Sequence, residues 1–537
     1  MSHLLTPAQA VLSRQVAPCP GLLTAPRLTP QPRRRHASPA PFRLLWAELL
    51  AFALFALFAL FTGCKVGPNY QRPVVQTPGA YRGGAAPDIA PQTTRESLGD
   101  RQWAAVFRDP VLQKLIEEAL RNNYDVQIAA RRVLEQEAQV GIARASQYPT
   151  LTAGASYDAI GIPSGLLSSL NSNNNNGSSG NGGNSNQKNT PSHYYSGGLT
   201  SSAAWNLDFW GQYRRQSEAA RAQLLSTEWG RQTTRATVVM EVATGYLQLR
   251  ALDAQLAITH DTIQAREQGL KLTQTLEEGG ANSLADVRQA EELLYSARAE
   301  VPTLEQQIAQ QENALSLLLG RSPGPIERGA PTNAVAIADQ AHPQPVPAGL
   351  PSQLLERRPD VRAAEANLMQ ANAEIGVARA QFFPAVSLSG TGGTSSSQLK
   401  RLVDAGSAYW YIIGSVSQPI FEGGRLTNNL RYARAEQQEM LVTYQKTIAG
   451  ALSDVSSALV AYGKTREYRE EQEKETASAQ DAVRLARMRY EGGYTSFLEV
   501  LTNDANLYTA QLALTTAQQQ EAQSLVQLYN VLGGGWQ

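Results

Sequence analysis

Gly141-Ile142-Ala143-Arg144-Ala145-Ser146-Gln147-Tyr148-Pro149, preceded by Asp125-Val126, returns later in the chain as Gly376-Val377-Ala378-Arg379-Ala380-Gln381-Phe382-Phe383-Pro384, preceded by Asp360-Val361. Every matched pair is 235 residues apart. Farther on, Ala220-Arg221-Ala222 matches Ala433-Arg434-Ala435, and Glu278-Gly279-Gly280 matches Glu491-Gly492-Gly493. Asp286-Val287 matches Glu499-Val500 and Leu319-Gly320 matches Leu532-Gly533, all at a spacing of 213. A register that holds this far marks an internal duplication. The two spacings differ by 22 residues, so the first copy carries an insertion. Its place is plain: seventeen of residues 171–190 are Asn, Ser or Gly, a tract too polar to pack, within a loop expected over 161–193.

Within each copy the hydrophobic period changes twice. Residues 124–147 and 360–381 read as helices that stop before Pro149 and Pro384. The period then becomes two. Leu151-Thr152-Ala153-Gly154-Ala155-Ser156-Tyr157 alternates, and Val386-Ser387-Leu388-Ser389 does the same. In the next segment Leu199, Ala203, Trp205, Leu207 and Phe209 share one face, with Thr200, Ser202, Asn206 and Asp208 opposite; residues 409–421 form the matching fourth segment. Strands of about 10 residues are the length that a tilted strand needs to cross a bilayer. Long helices follow. Val242, Leu249, Leu256, Ile263 and Leu270 lie seven apart, as do Val287, Leu294, Val301, Ile308 and Leu315 after the Gly279-Gly280 turn. A seven-residue apolar period predicts coiled-coil-like packing against a neighbouring helix. The hairpins are expected over 211–319 and 424–531. Pro302 sits inside the first and is expected to kink it. Its repeat partner is Thr515, so the two hairpins are expected to curve differently.

Composition narrows the function. The 537 residues carry 47 Lys and Arg against 47 Asp and Glu. A neutral chain gives no reason to expect nucleic acid. Two cysteines, Cys19 and Cys64, and five histidines exclude a disulfide scaffold and argue against a Cys/His metal site. The neutrality hides an asymmetry. Residues 1–63 hold six arginines and one acid, Glu48, a net +5 that the remainder balances. A basic segment before an apolar run from Leu44 to Phe61 has the order of an export signal. The run ends at Phe61-Thr62-Gly63-Cys64, which resembles a bacterial lipobox, with Cys64 as the acylated first residue. The competing reading is a transmembrane anchor with an incidental cysteine. In the lipoproteins it resembles, an aspartate after the cysteine retains the chain at the inner membrane; Lys65 stands there instead, which leaves the outer membrane as the default.

Four membrane-length strands cannot close a barrel alone, because single-chain barrels need about eight or more. Open edges in lipid leave backbone groups unpaired, at several kcal/mol each. The strands are therefore expected to close between chains; a dimer supplies eight and a trimer twelve. Their apolar faces would meet lipid and their Ser/Thr/Gly faces a wet lumen.

The run Cys64-Lys65-Val66-Gly67-Pro68-Asn69-Tyr70-Gln71-Arg72-Pro73 resembles the mature start of TolC/OprM-type outer-membrane factors, in their NodT-like lipoprotein branch. Trp103, Phe107, Asp109-Pro110 and Leu112 match the next block. So do Arg358-Pro359-Asp360-Val361, Phe383-Pro384, Pro419-Ile420-Phe421-Glu422-Gly423-Gly424-Arg425 and Ala314-Leu315-Ser316-Leu317-Leu318-Leu319-Gly320. The resemblance spans residues 64–537. It implies an α+β membrane protein: four transmembrane β-strands and long α-helical hairpins per chain, with a homotrimer closing a 12-stranded β-barrel and an α-helical periplasmic tunnel. It divides the chain into a leader (1–63), repeat 1 (64–320), an equatorial linker (321–350) and repeat 2 (351–537). It implies a passive efflux conduit in the outer membrane, docked to a periplasmic adaptor and an inner-membrane RND-type pump. No cofactor is implied beyond the covalent lipid on Cys64. Two other readings compete: an outer-membrane component of type I protein secretion, and a trimeric coiled-coil adhesin or spacer. An adhesin would gather its strands at one chain end, whereas here they lie inside both repeats.

No catalytic constellation is present. His3 and His36 fall in the leader, His193 in a loop, His260 on a polar helix face and His342 beside prolines. The resemblance instead points to the hairpin turns, Gly279-Gly280 and Gly492-Gly493, as the periplasmic tips. By position Tyr490 matches the family's gate tyrosine, Glu278 its gate acid and Glu499 an acid of the constriction. Thr495 and Thr502 stand where a family member has a basic and a second acidic gate residue. Three copies of an acid around one axis would favour cations. The alternative role of Glu278 and Glu499 is solubility and helix-end charge.

Overall fold

In the computed structural model the described residues are 65–79, 81–82, 97–162, 192–328 and 351–536, with backbone alone for Ile162 and for 192–194. The leader, Cys64, most of the Asn-rich loop and residues 329–350 of the expected linker lie outside them. All described elements belong to the unit Gly63–Gln537.

Local chemistry starts each element. Helix α1 (Pro110–Asn122) opens on a proline, and Asp109 accepts the backbone N–H of Val111 at 2.8 Å. Asn123 does the same for α2 (Tyr124–Ala145), accepting from Asp125 at 2.8 Å and Val126 at 3.1 Å. Strands β1 (Thr150–Ile162) and β2 (Ser192–Leu207) follow. Asp208 then accepts the N–H groups of Tyr213 and Arg214, capping α3 (Gln212–Glu278), which turns back into α4 (Leu284–Leu318). The second copy repeats the plan as α5 (Pro359–Ala380), β3 (Ala385–Ser396), β4 (Ala408–Ser417), α6 (Arg425–Glu491) and α7 (Phe497–Val531). Corresponding helices have equal lengths: 22 residues in α2 and α5, 67 in α3 and α6, 35 in α4 and α7. At 1.5 Å per residue the longest reach about 100 Å.

The four strands form one antiparallel sheet in the order β1-β2-β3-β4. The register places Leu151 opposite Ala203, Ala203 opposite Gly390 and Gly390 opposite Ile412, which makes one apolar face. The other face carries hydroxyls: Thr152 meets Ser202 at 2.8 Å and Ser387 meets Ser415 at 2.7 Å. β4 departs from the expected alternation. Tyr409, Trp410, Tyr411, Ile412 and Ile413 are consecutive, so both of its faces are apolar. It also ends at Ser417, short of the expected Phe421, because Pro419 has no N–H to offer a ladder. Trp410 is 78% exposed and Leu151 77%, which water would penalise and lipid would not.

The main core lies where the middles of the long helices meet α1 and the C-terminal end of α7. Val242, Tyr246 and Leu249 pack with Leu315, Tyr444, Ile448, Leu528 and Tyr529, and with Phe107 and Ile116. Each such burial contributes about 1.5–3 kcal/mol. Buried Tyr246 donates to Asp109 at 2.7 Å; burial and then that carboxylate push its phenol above the ordinary range, so it stays a donor. Of the heptad positions, Val242, Leu249, Val287, Leu294 and Leu315 bury within the chain, whereas Leu256, Ile263, Leu270, Val301 and Ile308 stay half-buried. α4 continues through Pro302, which is exposed, while Thr515 at the same position of α7 is buried and bonds the carbonyl of Gln511 at 3.0 Å.

Candidate channel gate

The two hairpin turns are built alike. Gly280 and Gly493 both adopt φ +76°, where a side chain would be strained. The N–H of Ala281 reaches back to the carbonyl of Leu276 at 2.8 Å, and that of Tyr494 to Arg489 at 2.8 Å, satisfying carbonyls the helix ends leave open. Gly279 and Gly492 serve as the helix C-caps.

The helices that leave these turns differ. Ser283 caps α4 in a reciprocal box with Asp286: Ser283 N–H donates to Asp286 at 3.0 Å and Asp286 N–H to the Ser283 hydroxyl at 3.3 Å. Ser496 and Glu499 occupy the same positions of α7, yet Ser496 makes no side-chain cap. Glu499 instead accepts from Arg489 Nη1 at 2.7 Å and from the Thr495 hydroxyl. One member of a duplicated pair is spent on its own helix; the other braces α7 against the end of α6. Among the described residues Thr502 bonds only the carbonyl of Leu498, at 2.8 Å.

Tyr490 crosses between hairpins. Its hydroxyl accepts from Asn282 Nδ2 at 3.0 Å, and its ring lies 5.1 Å from that of Phe497. Glu278 is not its partner. That carboxylate is exposed and forms no hydrogen bond or ion pair with any described residue. Glu278 therefore presents a bare charge, while the charge of Glu499 is balanced by Arg489.

Behind Tyr490 lies a second cross-hairpin link. Arg266 Nε donates to Asp504 at 2.9 Å, its Nη1 to the Leu293 carbonyl at 2.6 Å, and its guanidinium sits 5.2 Å over the ring of Tyr508. A cavity of about 250 Å³ opens beside it, floored by Phe497, Val500 and Leu501. Sequence reading selected Tyr490, Glu278 and Glu499, and missed Asn282, Arg489, Arg266 and Asp504. Asn282 had a signal, since it lies inside the turn; the Arg266–Asp504 pair joins residues 238 apart and had none. Of the histidines, His260 is exposed on α3. Among the described residues no cluster of His, Cys, Asp and Glu could hold a metal ion, and no helix is long and apolar enough to cross a membrane.

Residues 115–321 and 350–534 match the sequence model described as "Outer membrane efflux protein". The chain is 34% identical over 492 residues to a Pseudomonas putida protein named "Solvent efflux pump outer membrane protein SrpC", covering 91% of this chain and 99% of that one. It is 32% identical over 483 residues to an Escherichia coli protein named "Cation efflux system protein CusC", covering 90% and 98%. Among solved structures it resembles CusC, with TM-score 0.76, 31% identity, 88% of this chain and all of that chain covered. The open state of the Neisseria gonorrhoeae MtrE outer membrane channel superposes at TM-score 0.75 with 29% identity, covering 88% and 99%.

Proposed function

The chain belongs to the outer membrane efflux protein family, and from that premise we propose how its parts divide the work. It is an outer-membrane channel, the passive conduit of an efflux system. The observation that carries this reading is a four-stranded sheet with β1 and β4 unpaired on their outer edges, joined to helical hairpins about 100 Å long. In lipid the free edges need partners, and three chains supply a closed 12-stranded barrel. The hairpins continue that barrel as a periplasmic tunnel. The lumen is lined by the hydroxyl face, to which β4 adds Tyr411 and Ile413, and the opposite, apolar face meets lipid.

The tip docks to a periplasmic adaptor and, through it, to an inner-membrane pump of the RND class. Tyr490 and Asn282 hold the two hairpins of one chain together in the closed tip, and the three Glu278 carboxylates ring the opening. Cys64 carries the lipid. Supporting the tip reading is the placement of Tyr490 across the hairpins and of Glu278 without a partner among the described residues. The relatives are named for solvents and for cations, which suits a conduit whose cargo is chosen by its pump.

A deletion strain tests the function. Loss of this chain is expected to raise dye accumulation and antibiotic susceptibility. Unchanged susceptibility and accumulation would remove drug efflux and favour a channel for type I protein secretion.

A further inference from the structure

Among the described residues Arg215 is the largest fully buried side chain, 1% exposed, at the start of α3. Its guanidinium uses all of its donors. Nε bonds the Val66 carbonyl at 3.3 Å, Nη1 both oxygens of Glu218 at 3.1 Å, and Nη2 the Gly67 carbonyl at 3.3 Å and Asn69 Oδ1 at 2.9 Å. Three of these five hydrogen bonds go to residues 66–69, and the other two to Glu218 on the same helix. Val66 N–H also donates to the Trp210 carbonyl at 3.1 Å, Asn372 Nδ2 to the Pro68 carbonyl at 3.1 Å, and Lys65 pairs with Glu218 at 3.2 Å.

The fit is tight as well as polar. Gly67 has φ +107°, and a Cβ there would stand 2.6 Å from the Cα of Gly376; a Cβ on Gly376 would stand 2.8 Å from Arg215 Cγ. Among the described residues the slot exists once. Asn428 occupies the Arg215 position of the second repeat, and Gly141, the equivalent of Gly376, has nothing near its Cβ position. The slot therefore serves a use that the two repeats do not share.

Its place suggests that use. Trp210 lies three residues past the end of β2 at Leu207, and its Nε1 donates at 2.8 Å to the carbonyl of Pro384, which precedes β3. Residues 65–69 are therefore strapped to the helix-side feet of β2 and β3. Cys64 is two residues before Val66, no farther than about 7 Å along the chain.

We propose that the Arg215 slot positions the lipid anchor: it holds the strap so that the acyl chains of Cys64 enter the leaflet beside the feet of β2 and β3, with anchor and barrel as one rigid unit. The inference rests on Cys64 being the acylated residue. Arg215 acts through the strap and touches no lipid itself.

The test uses the full-length protein in outer membranes of cells fed a photo-crosslinking fatty acid. In the wild type, lipid crosslinks are expected to concentrate on peptides 205–213 and 383–388. Arg215→Lys keeps a charge but loses the planar fork; it should stay labelled while the share of crosslinks at those peptides falls about threefold. Gly67→Ala disturbs the slot from the other side and covers the case in which the lysine variant does not accumulate. A structural role alone would lower the trimer's melting temperature in both variants and leave the crosslink map as it was. Labelled variants with the wild-type map would overturn the proposal. A wild type without label would overturn the Cys64 reading, and the proposal with it.

Discussion

Arg266 of α3 and Asp504 of α7 form an ion pair at 2.9 Å with side chains only 5% and 15% exposed, tying the first hairpin to the second just above the tip. The same arginine holds the Leu293 carbonyl of α4, so one side chain joins three helices. Removing Arg266 leaves Asp504 with Arg487 alone, 3.9 Å away. Arg266→Met is therefore expected to destabilise the chain by about 1.5–3 kcal/mol, the worth of a hydrogen bond to a charged group. Denaturant unfolding of the purified protein measures it, and the same variant is expected to leak more in planar bilayers. Adding Asp504→Leu should return much of the stability; a double variant as weak as the single would show that packing, not charge, dominates.

Tyr490→Phe removes the hydroxyl that meets Asn282 and keeps the ring against Phe497. The expected loss is about 0.5–1.5 kcal/mol, the net worth of one hydrogen bond. Asn282→Ala should cost a similar amount, and the pair should couple in a double-mutant cycle. Independent effects would mean that the contact does not hold the hairpins.

Glu278 and Glu499 are expected to respond differently to neutralisation. Glu278 is bare, so Glu278→Gln should lower cation preference in bilayer recordings without changing stability. Glu499 is balanced by Arg489, so Glu499→Gln should weaken the α6–α7 tip more than it changes selectivity. Equal effects on selectivity would contradict this division.

Glu374 of α5 offers a test by pH. Burial first, and then the neighbouring Glu436, raise its carboxyl above the usual range. A raised carboxylate favours the fold below the unfolded value, near 4.3, and that contribution is lost as pH rises through the folded value. At neutral pH the charge is thus a penalty that glutamine lacks. Glu374→Gln is expected to melt higher than the wild type at pH 7, with the gap closing on acidification to pH 4. A gap independent of pH would assign the effect to packing.

Much of this architecture could be read in the residues before any coordinates. The duplication, the change from helical to two-residue period, and the Gly-Gly turns are local or repetitive signals, and the helices derived from them match in length across the copies. What could not be read is tertiary. Glu499 looks like a capping-box acid, since Asp286 is one at the same position, but Arg489 lies close enough to take it. Arg215 looks like any arginine in a polar helix, and its burial depends on a strap 149 residues away. β4 ends early because Gln418 turns to the Phe382 carbonyl and Pro419 cannot pair.

In the proposed barrel one chain is a third of the wall, closed by β1 of one copy against β4 of the next. Within a chain these strands are the two outer edges of the sheet, separated by about 14 Å at three strand spacings, too far for a disulfide. Cysteines placed along β1 from Thr150 to Ser156, paired with cysteines along β4 from Tyr409 to Ser415, should under oxidation in outer membranes give covalent dimers and trimers at one register. Neither strand's cysteines alone should do so. Crosslinking that stays within monomers at every register would contradict the account.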